Sequence, residues 1–232
     1  MSDSAFVLHA RPYKETSLLL DVFGRATGRL PLLARGARRR ESTLRGQLMT
    51  FTPLTLSWTG KGEVKTLTKA EWLGGLPMLR GAALLCGYYA NELLLRLMPR
   101  EDANPRLFDA YADALQALAD SARPEARETA LRRFEQRLLA ELGYGLSLQE
   151  DACGQRVVAE ADYGYEPGKG LLPQQGEEGG RLFSGTALLA MAADDYTSAP
   201  TRAAAKRLMR LAVDHALEGA PLMSRKLFLS RS

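Results

Sequence analysis

Short runs of alternating apolar and polar residues fill roughly the first third of the chain. Leu54, Leu56 and Trp58 alternate with polar residues, a pattern typical of a strand with one buried and one wet face. Similar strand-like segments lie at 6–9, 17–23, 30–34 and 63–72, separated by turns containing proline or glycine. Five short strands predict a small closed barrel, because closure removes exposed strand edges, and a five-stranded OB-fold is the architecture we expect.

The hydrophobic pattern changes to a helical period after Gly74-Gly75 and Pro77. Helices are predicted at 84–98, 105–121, 124–142, 184–193 and 200–218. The stretch 149–182 is rich in glycine, proline and acidic residues, and we expect it to be irregular. The fold class is therefore α+β, with a barrel domain at 1–78 and an all-α domain at 79–232 that contains an irregular excursion at about 149–182.

Charge is unevenly distributed along the chain. Residues 1–80 carry 13 Lys and Arg against 6 Asp and Glu, a net charge of +7, whereas residues 81–232 carry 18 against 21, a net charge of −3. A basic segment favours a polyanionic partner, since neutralising phosphates releases counterions and drives sequence-independent binding. An inert basic surface is the alternative that charge alone leaves open.

Few residues suit catalysis or metal binding. The sequence has no GxxxxGK[ST] loop, no GxSxG elbow and no HExxH pair, and its only histidines are His9 and His215. Cys86 and Cys153 stand far apart, whereas a zinc site needs about four nitrogen or sulfur ligands. We therefore expect no active site, no metal and no cofactor.

The sequence predicts a cytoplasmic protein with no membrane partner. No segment reaches the roughly 20 uninterrupted apolar residues that a membrane helix needs. The opening Met1-Ser-Asp-Ser4 lacks the basic and then apolar pattern of a signal peptide. Two isolated cysteines fit buried thiols in a reducing compartment better than a disulfide.

An arginine-rich stretch is the strongest local signal for binding. Six arginines fall within seventeen residues, opposed only by Glu41: Arg29, Arg35, Arg38, Arg39, Arg40 and Arg45. Such a run, on a loop that leaves a strand, suits contact with successive phosphates, which arginine can bind bidentately. Lys61, Lys65 and Lys69 follow across the next hairpin. We interpret the run as a nucleic-acid-binding loop, with a merely solvated face as the alternative.

Two other features have both a binding and a structural interpretation. Phe51 and Trp58 are the aromatic residues best placed for base stacking, but each is interpreted first as core, since aromatic side chains dominate small cores. Basic residues also lie beside the apolar stripes of two predicted helices: Arg132, Arg133, Arg137, Arg202, Lys206 and Arg210. Such surfaces suit acidic peptides with hydrophobic ends, although solubility alone explains many helical charges.

A series of short blocks resembles the RecO family of bacterial proteins. The blocks keep the family's order over nearly the full chain: Ala5-Phe-Val-Leu-His-Ala-Arg-Pro-Tyr-Lys-Glu-Thr-Ser-Leu18, Ala34-Arg-Gly-Ala-Arg38, Phe51-Thr-Pro-Leu54, Gly62-Glu-Val-Lys-Thr-Leu67, Asn91-Glu-Leu-Leu94, Leu131-Arg-Arg-Phe134, Leu142-Gly-Tyr-Gly145 and Ser224-Arg225. Each block is a weak pattern, and their combination is specific. The likeness is closest to the gammaproteobacterial type.

The resemblance implies an N-terminal OB-fold and a helical C-terminal domain, in agreement with the periodicity. It also implies a non-enzymatic, nucleoid-associated mediator of recombinational DNA repair in the RecF pathway. Such proteins bind single- and double-stranded DNA, anneal complementary strands and recognise the acidic, Phe-ending tail of single-stranded DNA-binding protein (SSB). With RecR as a partner, they help RecA to replace SSB on gapped DNA.

The family's functional residues are carried over block by block. DNA contacts would fall on Arg35, Arg38, Arg39, Arg40, Arg45, Lys61 and Lys65. The Leu131-Arg-Arg-Phe134 block would lie at the SSB-tail site, which makes Arg132, Arg133 and Lys206 candidate tail residues. Many family members carry a four-cysteine zinc module near the position of Leu142-Gly-Tyr-Gly145; here only Cys153 falls in that region, so we expect no metal.

Two alternative functions stay open at this point. An OB-fold RNA-binding protein is the alternative within the binding class, and it would require the 2′-hydroxyl of its ligand. A nuclease or phosphotransferase is the alternative from the enzymes, and it would show magnesium-dependent turnover that is lost on mutation of one carboxylate.

Overall fold

A computed structural model describes residues 1–174 and 182–229 of the chain and, among these, the side chains of all but 227–229. The part of the predicted irregular stretch at 175–181 lies outside the described residues. The chain divides into two compact units, Met1–Ser121 with Leu222–Ser232, and Ala122–Pro221. This division groups three helices with the barrel. The boundary proposed at residue 78 instead follows the change of hydrophobic period, and that boundary stays a prediction.

The first unit contains the predicted five-stranded barrel. Its strands are β1 (Ser2–Tyr13), β2 (Ser17–Gly24), β3 (Gly28–Ala34), β4 (Pro53–Thr59) and β5 (Lys65–Trp72). They close in the order β1-β2-β3-β5-β4, with β3 and β5 parallel and the other pairs antiparallel. The alternation in β4 is realised as predicted, because Leu54, Leu56 and Trp58 are buried in the barrel core. The predicted α+β class with an OB-type barrel is confirmed.

Other parts of the chain approach two glycines of the β2–β3 hairpin so closely that neither position has room for a side chain. A Cβ atom on Gly28, whose φ is +70°, would lie 2.0 Å from the carbonyl oxygen of Asp102. A Cβ atom on Gly24 would lie 2.5 Å from the Asp3 carboxylate. That carboxylate accepts hydrogen bonds from the Ala26 and Thr27 amides at 2.9 and 3.0 Å, so it fixes the turn between the two strands.

Six helices occur in the described part of the chain. They are α1 (Gly81–Leu97), α2 (Pro105–Asp120), α3 (Pro124–Glu141), α4 (Gly185–Ala192), α5 (Ala199–Ala216) and α6 (Met223–Leu229). The first five lie where the helical period predicts them. The hydrophobic pattern did not predict α6. Its first turn is capped by a distant side chain, because Glu92 accepts hydrogen bonds from the backbone amides of Met223 and Ser224, both at 2.8 Å. Burial opposes ionisation of this carboxyl, but the Ser224 and Met223 donors and the charge of Arg96 outweigh it, and the pKa of Glu92 is lowered.

A buried polar pair holds α1 and α2 against the barrel. A bulge in β1 removes Leu8 from the ladder with β2, and Asn91 of α1 donates from Nδ2 to the Leu8 carbonyl at 2.8 Å. The hydroxyl of Tyr111 in α2 donates to the same amide, and burial raises the pKa of that phenol. The rings of Phe6 and Tyr111 meet edge to face with centroids 5.2 Å apart. Asn91 of the Asn91-Glu-Leu-Leu94 block therefore has a structural role, because it links α1 to both β1 and α2.

We expect Asn91→Leu to lower the free energy of unfolding by about 2–3 kcal/mol, because it removes the donor of a buried carbonyl and the acceptor of a buried hydroxyl. Urea denaturation followed by circular dichroism measures the change. Tyr111→Phe is the matched control, since it removes one hydrogen bond and keeps the bond to Leu8; we expect a loss of about 1 kcal/mol. Equal stability of Asn91→Leu and the unmodified chain would contradict this account.

The second unit combines α3, α4 and α5 with a small sheet that the sequence analysis did not foresee. Strands β6 (Asp162–Glu166), β7 (Gly170–Pro173) and β8 (Phe183–Ser184) pair in the order β7-β6-β8. The prediction of an irregular excursion at about 149–182 was wrong for β6 and β7, which lie within it. Tyr163 and Tyr165 do alternate with Asp162, Gly164 and Glu166, but an alternation of only five residues is too short to stand out in a stretch rich in glycine and charge.

Candidate nucleic-acid interface and peptide groove

The loop between β3 and β4, residues 35–52, carries most of the predicted DNA-binding side chains. Its two ends are fastened to the barrel, because Ala37 and Leu48 are buried in the barrel core. The Arg38 amide donates to the carbonyl of Thr16 at 2.8 Å, and its guanidinium donates to the carbonyl of Glu15 at 3.2 Å. These contacts tie the start of the loop to the β1–β2 turn. We call residues 35–52 the arginine loop.

Successive tight turns shape the middle of the arginine loop. Backbone hydrogen bonds run from Arg39 to Gly36, from Ser42 to Arg39 and from Arg45 to Ser42, at 2.9, 3.2 and 3.1 Å. Gly36 and Gly46 have positive φ angles of +66° and +80°, which glycine adopts without strain. The turns therefore present a close series of cations from a backbone that is held locally.

The arginines of this loop are exposed, and none of them pairs with a carboxylate in the part of the chain that the structure describes. Among the described residues, no carboxylate lies within ion-pair distance of any of them, and all five are exposed: Arg35, Arg38, Arg39, Arg40 and Arg45. Unneutralised guanidinium groups on one loop create a positive potential that favours phosphates. The structure thus brings together five of the seven predicted DNA-binding residues.

The two predicted lysines differ from the arginines and from each other. Lys61 is exposed in the turn between β4 and β5. Lys65 is half-buried at the start of β5, and its ammonium group pairs with Glu101. A lysine that already has a carboxylate partner gains less from a phosphate, so we expect Lys61 to contribute more than Lys65.

Three further residues of the basic and aromatic sets, Arg29, Phe51 and Trp58, have structural roles. Arg29 reaches the Leu95 carbonyl, and its burial lowers the pKa of the guanidinium, so it does not extend the exposed arginine series. Phe51 and Trp58 are 7% and 2% exposed, which confirms their interpretation as core residues. No base can stack on rings that the core covers.

The three predicted tail residues have different surroundings in the second unit. Arg132 is only 11% exposed and donates to the buried Glu135 carboxylate at 2.8 Å. Arg133 is exposed on the next position of α3, 2.7 Å from the exposed Asp194. Lys206 on α5 is exposed, 3.8 Å from Glu128. Helical geometry turns Arg132 and Arg133 to different faces of α3, and of the three residues only Arg133 and Lys206 are exposed. Their role at a tail site stays a prediction.

A groove of about 530 Å³ lies beside α3 in the same unit. Its apolar lining comes from Leu139, Leu146, Leu148 and Met191, and Arg133 and Arg137 are its cationic residues. Arg137 belongs to the basic residues predicted on α3, but it was not among the predicted site residues. The segment after Gly145, which forms part of the lining, was not predicted either.

Gly145 allows that segment to approach α3. A Cβ atom at this position would lie 3.3 Å from the Cα of Ala140, and the neighbouring Gly143 has a φ of +83°. A side chain at residue 145 would therefore push the segment away from α3 by a few tenths of an ångström, and glycine adopts the positive φ at residue 143 without strain. The Leu142-Gly-Tyr-Gly145 block was the available sequence signal for this geometry.

The described residues contain no cluster of three or more His, Cys, Asp or Glu that could hold a metal ion. The expectation that the protein has no metal stays a prediction. Cys86 and Cys153 are free thiols; Cys86 is buried, as predicted, whereas Cys153 is exposed. None of the helices described is long and apolar enough to cross a membrane.

Comparison with known proteins places these features in a family. Residues 1–76 match the family model for the N-terminal part of recombination protein O, and residues 78–226 match the model for its C-terminal part. A DNA repair protein RecO from Dechloromonas aromatica is 49% identical over 228 residues, which cover 98% of this chain and 94% of that protein. Proteins of the same name from an Azoarcus species and from Thiobacillus denitrificans are 50% and 47% identical, covering 96% and 97% of this chain and 93% and 90% of their own lengths. The chain therefore belongs to the RecO family of DNA repair proteins.

Proposed function

We propose that this protein is a recombination mediator that acts by binding rather than by catalysis. It binds single- and double-stranded DNA through the arginine loop, assisted by Lys61 and Lys65, and anneals complementary strands. The observation that carries the proposal is the series of five exposed arginines on a loop anchored to an OB-type barrel. Family membership supports a role in DNA repair, and a cytoplasmic, nucleoid-associated location stays a prediction.

Annealing follows from the electrostatics of the arginine loop. Two DNA strands repel each other through their phosphates, and guanidinium groups that contact phosphates of both strands reduce that repulsion. Phosphate contacts position a strand without reading its sequence, so complementary bases are left to pair. The loop thereby promotes annealing of any complementary pair.

The groove beside α3 supports a second binding function, the capture of the acidic, Phe-ending SSB tail. Its apolar residues suit an aromatic end, and Arg133 and Arg137 suit the carboxylates around it. Both arginines pair in the structure with exposed or partly exposed carboxylates, Asp194 and Glu141. Exchanging such weak surface pairs for a peptide carboxylate costs little.

The three tail residues proposed from the sequence then have separate roles. Arg133 contacts the tail, Lys206 adds to the positive potential of α5, and Arg132 supports α3 from the inside through Glu135. Tail capture raises the effective concentration of the arginine loop at SSB-coated DNA, because both lie on one chain. Together with RecR, this promotes the loading of RecA onto gapped DNA.

We expect the protein to anneal complementary oligonucleotides both bare and coated with SSB. Arg133→Ala/Arg137→Ala should slow annealing about tenfold on SSB-coated strands, the effect of roughly 1.4 kcal/mol of lost tail affinity, and leave annealing of bare strands unchanged. The measurement is strand annealing of fluorescently labelled oligonucleotides. Arg156→Ala/Arg210→Ala is the charge-matched control, because both arginines are exposed positions of the same unit.

Failure of the unmodified protein to anneal bare strands would remove the main support for the mediator function. Competition between DNA and RNA of the same sequence then tests the alternative, because an RNA-binding protein requires the 2′-hydroxyl. Equal slowing on bare and coated strands by the Arg133→Ala/Arg137→Ala variant would instead contradict the assignment of the groove to the tail.

A further inference from the structure

A second groove, of about 390 Å³, opens within the arginine loop itself. Its apolar lining comes from Leu18 of β2 and from Ala37, Leu44, Leu48 and Met49 of the loop. Arg38 and Arg45 belong to the same lining. Apolar surface and two cations therefore lie together on the loop that we propose binds phosphates, and neither cation pairs with a carboxylate among the residues that the structure describes.

The groove is held open by its surroundings. Ala37 and Leu48 are buried in the barrel core, and Leu18 and Leu44 pack against that core. Gly46 contributes no side chain to the groove, and its φ of +80° disfavours any residue other than glycine at this position. Met49, by contrast, is 42% exposed. Its exposed thioether is polarizable and adapts to flat ligands.

We propose that this groove receives an unpaired nucleobase of a single DNA strand whose flanking phosphates are held by Arg38 and Arg45. The inference rests on the proposed function and adds a base-binding subsite to it. A nucleotide joins an apolar ring face to an anionic phosphate, which matches the lining in both respects, and contact with a ring face is independent of sequence. A base in a duplex is stacked and paired, so it enters the groove only after unpairing.

Methionine oxidation provides the test. The full-length protein is treated with dilute hydrogen peroxide, alone or saturated with oligothymidylate, or saturated with an oligonucleotide of the same length made of abasic tetrahydrofuran units. We expect oligothymidylate to slow Met49 oxidation about fivefold and the abasic strand to leave it nearly unchanged, as for a base contact of about 1 kcal/mol. Met78, exposed elsewhere in the same unit, is the internal control and should oxidise at the same rate throughout.

Binding affinities of two variants provide a second test that does not depend on methionine oxidation. The unmodified protein should bind oligothymidylate about fivefold more tightly than the abasic strand, Met49→Ser should reduce this ratio towards one, and Met78→Ser should preserve it. Equal protection of Met49 by both strands, or by neither at saturation, would overturn the base-binding subsite and leave phosphate binding intact. Absence of binding to both strands would instead remove the proposed function, and this inference with it.

Discussion

Simultaneous replacement of Arg38, Arg39 and Arg40 by alanine is expected to weaken DNA binding roughly 100-fold near 0.1 M salt and to abolish annealing. Removing each exposed guanidinium group costs about 1 kcal/mol of binding free energy from its phosphate contact. Because three such losses add, the binding constant falls by the product of the three factors. The variant loses the hydrogen bond from the Arg38 guanidinium to the Glu15 carbonyl. The fold should survive, because the loop stays fastened by Ala37, by Leu48 and by the bond from the amide of residue 38 to Thr16. Fluorescence anisotropy with a labelled oligonucleotide measures the affinity, and strand annealing measures the activity.

The salt dependence shows whether these arginines contact phosphates. The slope of log K against log salt concentration should become shallower by about 2 for single-stranded DNA, since each lost contact removes roughly 0.7. Arg80→Ala/Arg100→Ala/Arg106→Ala is the matched control, because it removes the same charge from exposed positions of the same unit. We expect that control to lower the affinity less than tenfold through the general potential alone.

Two outcomes would contradict the assignment of the arginine loop. Equal losses in the loop variant and in the control would mean that overall charge, and not the loop, determines the affinity. An unchanged slope in the loop variant would mean that the three arginines do not contact phosphates. In either case the DNA-binding surface would have to be sought among the other exposed cations, of which Lys61 is the first candidate.

The sequence predicted the barrel well because its evidence is local. Residues 54, 56 and 58 alternate with polar neighbours, and the pleat of a strand converts this alternation directly into one buried and one exposed face. The helix α6 gave no such signal. Its first turn is capped by Glu92, whose carboxylate lies 132 residues away in sequence from Ser224, and pattern analysis within one segment cannot detect such a partner.

Charge predicted the arginine loop but not the division of roles on α3. A run of arginines opposed by one glutamate stays exposed in almost any fold, because burying unpaired charges is costly. On α3, the pair Arg132 and Glu135 has the spacing of an ordinary solvated i,i+3 pair. Glu135 follows Leu131 by four residues and precedes Leu138 by three, so it falls within the apolar stripe. That position was the available sign of its burial.

The burial of the Arg132–Glu135 pair predicts a large loss of stability when Arg132 is removed. Arg132→Ala should lower the stability of the second unit by about 3–5 kcal/mol, because it removes the guanidinium group that pairs with the buried Glu135 carboxylate. Arg133→Ala is the adjacent control; both Arg133 and Asp194 are exposed, so we expect a loss below about 1 kcal/mol. Urea denaturation gives the stability, and hydrogen exchange of peptides from α3 and α5 locates the loss.

Measuring the affinity for a tail peptide shows whether Arg132 contacts the peptide directly or only stabilises α3. We expect Arg132→Ala to weaken binding of an acidic, Phe-ending peptide because α3 loosens beside the groove. Arg132→Met/Glu135→Leu replaces the pair by apolar side chains, which often preserves or raises stability, and it should restore peptide binding. A stable double variant that still fails to bind would show that the Arg132 guanidinium itself holds the tail. An Arg132→Ala variant as stable as the unmodified protein would contradict the buried pair as a determinant of stability.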